Sequence, residues 1–279
     1  MTTIGREVEL SGIGIHGGRR VNLRMRPCPG SGFIFRRSDL DGLEFPFSAR
    51  NLESGRRTVL RLGPHRIQTV EHLLAAALAS GISGLLIEID GDEVPIFDGS
   101  ALPFVKALDS AGRSGLEKPG GEPRLLRPFT VEDGPASISV QPADEFRISY
   151  TIHFDHPAIG TQSLSVAVTR KSFAREIAPA RTFGFLSDMP ELESRGLARG
   201  GSLDNAVVLD EKGVMNGPLR FPDEFVRHKI LDLIGDLALL GGMPRAHFIA
   251  ERAGHAVHQA AARFWLDHPE YGGTTRRSG

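Results

Sequence analysis

Apolar and polar positions alternate over 21–26 (VNLRMR), the two-residue period of a half-buried strand. Further strand-like runs lie at 32–35, 58–62 and 85–89. Two helical stretches interrupt them. One opens near Thr69, a natural cap, and stops before Gly81; the other follows Asp98-Gly99-Ser100 and runs to about Ala111. The second half repeats the mixture, with strands expected at 137–141, 146–154, 163–168, 206–209 and 246–251, and helices at 170–177, 187–195, 223–240 and 255–267. Strands and helices cluster and do not alternate strictly, which points to an α+β fold and not to a doubly wound parallel sheet. No sequence repeat is visible; the halves share only a similar inventory of elements.

The stretch 112–124 (GRSGLEKPGGEPR) is polar, rich in Gly and Pro, and without periodicity. It reads as a linker. The expected organisation is a first domain over 1–112, a linker over 113–124 and a second domain over 125–267, with a mobile tail over 268–279. A chain of 279 residues is long enough for two such units.

Composition narrows the function classes. The 33 basic and 34 acidic residues leave a net charge of −1, which argues against general nucleic-acid binding. The single cysteine, Cys28, excludes an intramolecular disulfide and any multi-cysteine metal centre. The longest apolar run, 73–89, is broken by Ser80, Gly81, Ser83 and Gly84, so no membrane span is expected. The opening MTTIGREVEL has no apolar core of the kind an export signal carries, and the expected compartment is the cytoplasm.

The 223–240 stretch carries the first chemical signal. Phe225, Val226, Ile230, Leu231, Leu233, Ile234 and Leu237 make it apolar nearly all round, so it should be buried. Yet His228, Asp232 and Asp236 fall at i, i+4 and i+8, one stripe of the same helix, with Lys229 beside them. Buried carboxylates without partners cost several kcal/mol, so something must compensate. A divalent cation would do so; a structural His–Asp–Lys network is the other reading.

Glu71-His72 opens the 69–80 helix, but position 76 is alanine, so the two-histidine metalloprotease helix is absent. His72, His228 and Asp232 together would supply two nitrogens and one oxygen, the ligand count of a catalytic zinc site with an open position. Glu71 points about 100° away around the helix and could be a base; acidic residues also favour a helix's first turn for electrostatic reasons alone. Other histidines are weaker candidates. His153 and His156 sit on opposite faces of a strand end, while His16 and His65 sit in turns and read as surface residues. His255 opens the last helix, where a positive helix end should lower its pKa unless a carboxylate opposes it; Asp236 is a candidate. The run 12–17 (GIGIHG) satisfies GxGxxG, but a strand-like RRVNLRMR follows where a dinucleotide site needs a helix, so it reads as a hairpin.

Taken in order, SGIGIHGG at 11–18, TVEHLL at 69–74, PIFDGSALPF at 95–104, HPAIG at 156–160, ARTFGF at 180–185, GLARGGSLDN at 196–205, RFPDEFVRHKILDLIG at 220–235 and GHA at 254–256 resemble the UDP-3-O-acyl-N-acetylglucosamine deacetylases, zinc amidases of lipid A biosynthesis. The resemblance covers almost the whole chain. It implies zinc held by His72, His228 and Asp232, with Glu71 as general base and His255 as general acid. It also implies that Thr182 helps hold the oxyanion, that Lys229 lies beside the site and that Asp236 orients His255. Phe183 and the 186–220 insertion would line an acyl-chain passage, with Phe185 either lining it or simply packed in the core. Arg252 and Lys229 would meet the substrate's diphosphate.

The implied fold is two α+β domains of similar topology, sheets outside and helices between, with the site at their interface. Some relatives carry a cysteine in the strand before TVEH; this chain reads Thr58-Val59-Leu60-Arg61-Leu62 there, leaving the fourth zinc position to water or substrate. The partner is a small molecule, a UDP-linked acyl amino sugar, and the chain is expected to be a monomer. Two rivals stay open: a mononuclear iron(II) oxygenase, because the same donors suit that chemistry, and a non-catalytic acyl-sugar binder with a structural metal. Iron(II) could also replace zinc in the hydrolase.

Overall fold

The computed structural model describes residues 2–53, 58–116 and 121–275. Each half is built on a five-stranded sheet with the same connectivity. In the first, the hairpin Val8–Ile13/Arg20–Pro27 and the hairpin Gly32–Arg37/Leu43–Pro46 are joined by a central strand, Gly84–Ile89. That strand runs antiparallel to Arg20–Pro27 and parallel to Gly32–Arg37. In the second, the hairpins Phe129–Asp133/Ala136–Pro142 and Phe146–His153/Thr161–Ala167 flank Ala246–Glu251 with the same pair of orientations. One helix precedes each central strand and one follows it: Glu71–Ala79 and Leu102–Ala111 in the first half, Glu224–Asp236 and His255–Asp267 in the second. The fold therefore repeats although the sequence does not.

The strands alternate buried and exposed residues, as Arg20–Pro27 does, so each sheet turns one face inward. The helices fill the space between the sheets, giving the α+β sandwich. Glu71–Ala79 is buried on every side and packs against Glu224–Asp236. Its Leu73, Leu74 and Leu78 are each worth about 1.5–3 kcal/mol when removed from water. The contact is close because Gly235 has no side chain to hold the helices apart; a Cβ there would overlap the Glu71 carbonyl oxygen. No helix among the described residues is long and apolar enough to cross a membrane.

Several local expectations shift. Thr69 does not cap its helix: it takes the left-handed conformation (φ 60°) and turns its hydroxyl toward Glu93, 3.3 Å away. The 223–240 stretch is an α-helix only to Asp236 and tightens into a 3₁₀ turn over Leu237–Leu240. The run 12–17 lies in a hairpin, as the end of its first strand and the start of its turn. Residues 117–120 of the expected linker lie outside the described residues, but both flanks are strands: Arg113–Gly115 pairs with Thr2–Ile4, and Glu122–Leu125 pairs with Gly272–Thr275. These pairings join residues more than 100 positions apart, so local periodicity does not reveal them. The tail expected to be mobile from 268 is instead structured through Thr275. Tyr271 packs edge-on against Phe264 and Phe129, which anchors the closing strand; residues 276–279 lie outside the described residues.

Candidate active site

Two helices from different halves bring the candidate metal ligands together. His72 lies in the first turn of Glu71–Ala79, and His228 and Asp232 lie one turn apart on Glu224–Asp236. Their donor atoms fall within 4.8 Å of one another. His228 Nε2 is 3.4 Å and His72 Nε2 4.0 Å from Asp232 Oδ1. The rings of the two histidines meet edge-on, 5.0 Å between centroids. His228 donates its Nδ1–H to the Ala180 carbonyl at 3.1 Å, which leaves the lone pair of Nε2 turned toward Asp232.

Burial, with His228 as the next contributor, lowers His72 to about 3; burial also lowers His228, so both imidazoles stay neutral near pH 7. Burial alone would raise Asp232, but Lys229, whose Nζ is 2.7 Å from Oδ2, leads the charges that hold it ionised. Two buried polar atoms, His72 Nδ1 and Glu71 Oε2, have no hydrogen-bond partner among the described residues. Two neutral imidazole nitrogens, one carboxylate and an unpaired carboxylate oxygen nearby fit a divalent cation with an open position.

Glu71 is 5% exposed, and burial pushes its carboxyl up to about 7. His255 is also shifted upward, which there favours the charged form. Burial and the helix end both disfavour its charge, yet Asp236, Asp232 and Glu71 outweigh them and lift it to about 9. Asp236 Oδ2 accepts from His255 Nδ1 at 2.7 Å, as the sequence suggested. Thr58 donates its hydroxyl to Asp236 Oδ1 at 2.5 Å. Cys28 lies elsewhere, buried beside Thr3.

Glu71, His72, His228, Asp232 and His255 line a cavity of about 340 Å³, with Thr182, Phe183 and Lys229 also in its wall. Thr182 is placed by two loops. Its N–H donates to the Gly99 carbonyl at 2.8 Å, and Gly99 needs its positive φ (83°) and missing side chain because a Cβ would overlap the Asn205 carbonyl. Next to it, Arg181 is clamped by the fully buried Glu224 through its backbone N–H at 2.9 Å and its guanidinium at 2.8 and 3.0 Å. A second cavity of about 370 Å³ opens beside the first and shares Ile15, His16, Thr182 and Phe183 with it. Its remaining walls are largely apolar, among them Phe185, Leu192, Val208 and Met215 from the 186–220 insertion and the strand before it.

Two expectations about placement change. His16 is not a surface residue: it lines both cavities, held by its backbone N–H, which donates to buried Glu93 at 2.8 Å. Gly17 donates to the other Glu93 oxygen at 2.7 Å. Arg252 is exposed just beyond Ala253, with φ 50°, and does not line either cavity. Sequence reasoning missed Thr58, Glu93, Tyr150 and Gln259. Their neighbours are distant in the chain, and only the buried carboxylate in a turn, Glu93, left a local trace.

Residues 1–266 match the family model described as UDP-3-O-acyl N-acetylglycosamine deacetylase. Three similar proteins carry the name UDP-3-O-acyl-N-acetylglucosamine deacetylase. The one from Thermodesulfovibrio yellowstonii is 46% identical over 260 residues, covering 92% of this chain and 88% of the relative. That from Oleidesulfovibrio alaskensis is 47% identical over 273 residues (96% and 90%), and that from Myxococcus xanthus 45% over 271 residues (96% and 86%). At this identity and coverage, the chain belongs to the UDP-3-O-acyl N-acetylglycosamine deacetylase family of hydrolases.

Proposed function

We propose that this protein removes the N-acetyl group from UDP-3-O-[(3R)-3-hydroxyacyl]-N-acetylglucosamine, releasing acetate and the free 2-amino sugar, as a step of lipid A biosynthesis. The observation that carries the reading is the convergence of His72, His228, Asp232, Glu71 and His255 on one cavity that continues into an apolar passage. A cavity with a charged, metal-competent end and an apolar end matches a substrate that joins a polar sugar to a fatty chain.

His72, His228 and Asp232 would hold zinc, with iron(II) a substitute the same donors accept. Zinc bound there supplies a Lewis acid and lowers the pKa of a water molecule to about 7. The chain's own groups do the proton work. Glu71 accepts the proton that water loses as it attacks the acetyl carbon; its elevated proton affinity suits a base working near neutrality. The Thr182 hydroxyl donates to the developing oxyanion, a class of contact worth about 3–4 kcal/mol. As the C–N bond breaks, His255 passes its proton to the departing sugar nitrogen, and Asp236 keeps its ring oriented for that transfer. Lys229 balances the charge of Asp232 and faces the cavity beside the substrate. Phe183, packed edge-on against Phe225 at 5.0 Å, forms a stiff wall between the polar and apolar cavities. Arg252, exposed outside both cavities, would meet the diphosphate only where that group extends beyond them.

In this reading the protein works as a cytoplasmic monomer in two domains, 1–112 and 125–267 about the 113–124 linker, on a small molecule and without nucleic acid. The test is incubation with the UDP-acyl-N-acetylglucosamine, with and without a zinc chelator, while measuring released acetate. Acetate released only by the metal-replete protein is the expected result. No acetate, or an equal rate after the metal is stripped, would sink the proposal.

A further inference from the structure

Asp236 serves two histidines, and only one of them faces the cavity. Its Oδ2 lies 2.7 Å from His255 Nδ1 and 2.9 Å from His258 Nδ1. His258 is fully buried, and its Nε2 lies 2.8 Å from the Tyr150 hydroxyl. Tyr150 also reaches the Ala253 carbonyl at 2.6 Å. An ionised carboxylate only accepts hydrogen bonds, so the His258 proton must sit on Nδ1, toward Asp236. Burial outweighs the pull of Asp236 and holds the ring neutral, so the one Tyr150 proton is shared between bare Nε2 and the Ala253 carbonyl while Nδ1–H stays on Asp236. The other carboxylate oxygen, Oδ1, is fixed by Thr58 at 2.5 Å and Gln259 at 3.4 Å.

We infer that His258, backed by Tyr150, is a positioning residue for the hydrolysis: it fixes the Asp236 carboxylate and, through it, the ring of His255. Tyr150 belongs to Phe146–His153, a strand of the second sheet, so the chain of contacts ties the cavity-facing imidazole to the sheet. Without the His258 N–H, Oδ2 keeps one donor instead of two, so the carboxylate is held less firmly at the oxygen that orients His255. The inference rests on the reading of His255 as proton donor.

The test compares the wild-type enzyme with His258→Ala, His258→Asn and Tyr150→Phe, each checked for folding and metal content. His258→Ala is expected to lower kcat by about 10–100-fold, the range for losing an orienting partner, with KM changed by no more than about twofold. Asparagine can set an amide N–H where Nδ1–H was, so His258→Asn should recover kcat to within about fivefold of wild type. Tyr150→Phe leaves the Asp236 bond but frees the far side of the ring; a drop of about 3–10-fold in kcat at unchanged KM is expected. Equal losses in folded His258→Ala and His258→Asn overturn the inference, as does a change confined to KM. Should His258→Ala not fold, an undiminished kcat in Tyr150→Phe overturns it. A wild-type enzyme that releases no acetate defeats the functional reading itself, whereas an active wild type matched by His258→Ala defeats only this inference.

Discussion

Gly235 lies directly against the backbone of Glu71, so close that a Cβ added there would come within 2.9 Å of the Glu71 Cα and overlap its carbonyl oxygen. This contact sets the spacing of the two helices that carry His72 on one side and His228 with Asp232 on the other. Gly235→Ala is expected to force the helices apart at a cost of about 1–3 kcal/mol, the usual penalty of overfilling a packed interior. Because the metal donors straddle the same contact, the variant should also lose metal on dialysis. Denaturant unfolding and metal analysis check both; wild-type stability with full metal content would contradict the geometry.

The raised values of Glu71, as a base, and of His255, as an acid, predict a pH profile. A base works once deprotonated, so kcat/KM should rise as pH passes the Glu71 value of about 7. An acid works while protonated, so the rate should fall as pH passes the His255 value of about 9. His255→Ala should erase the basic limb. Glu71→Ala should lower kcat by about 10²–10⁴-fold and leave the metal bound, since Glu71 is outside the ligand set. Loss of metal from Glu71→Ala would make it a ligand instead of a base.

Two of the three candidate metal ligands, His228 and Asp232, left a local contradiction in the sequence; His72 did not. His228, Asp232 and Asp236 are polar groups on an otherwise apolar helix, and burial of that helix demanded a partner. The strands with clean alternation, such as Arg20–Pro27, were equally readable. What stayed hidden depends on distant meetings. Thr58 sits 178 positions from Asp236, and nothing in its own surroundings announces that contact. The closing strand Gly272–Thr275 is rich in glycine and looks unstructured until Glu122–Leu125 lies beside it. His16 reads as a surface turn residue because the buried carboxylate that holds its loop, Glu93, is 77 positions away. The duplicated fold left no sequence repeat for a related reason, and only the family resemblance implied it: connectivity repeats without any residue needing to.

Metal dependence is expected from the candidate donor set. Stripping the metal should abolish acetate release, and zinc should restore it. His72→Ala removes one of three ligands, and metal affinity should fall by at least about 10–100-fold, the loss caused by removing even an outer-shell partner. Inductively coupled plasma analysis after gel filtration measures this. A fully loaded His72→Ala protein would show that His72 does not ligate.

Thr182 offers a separate test of charge stabilisation. Its backbone is fixed by Gly99 and Val207 at 2.8 and 2.7 Å, so replacing only the hydroxyl should leave the strand in place. Thr182→Val keeps the shape and removes the donor. A fall of about 10²–10³-fold in kcat with KM nearly unchanged is expected for an oxyanion contact. A rise in KM alone would assign Thr182 to substrate binding.

The apolar cavity predicts how chain length is read. Met215 lines it and is 44% exposed at its rim, so a larger side chain there can be accommodated without disturbing the core. Met215→Trp should narrow the passage. Each methylene kept in water costs about 0.8 kcal/mol, so excluding two of them costs about 1.6 kcal/mol, or roughly 15-fold in kcat/KM. A substrate whose acyl chain stops short of Met215 has no methylenes to displace and should be deacetylated at the wild-type rate. The ratio of kcat/KM for long and short acyl substrates therefore isolates the passage from the chemistry at the polar end. Equal losses for both chain lengths would mean that Met215 disturbs the catalytic cavity and that the fatty chain lies elsewhere.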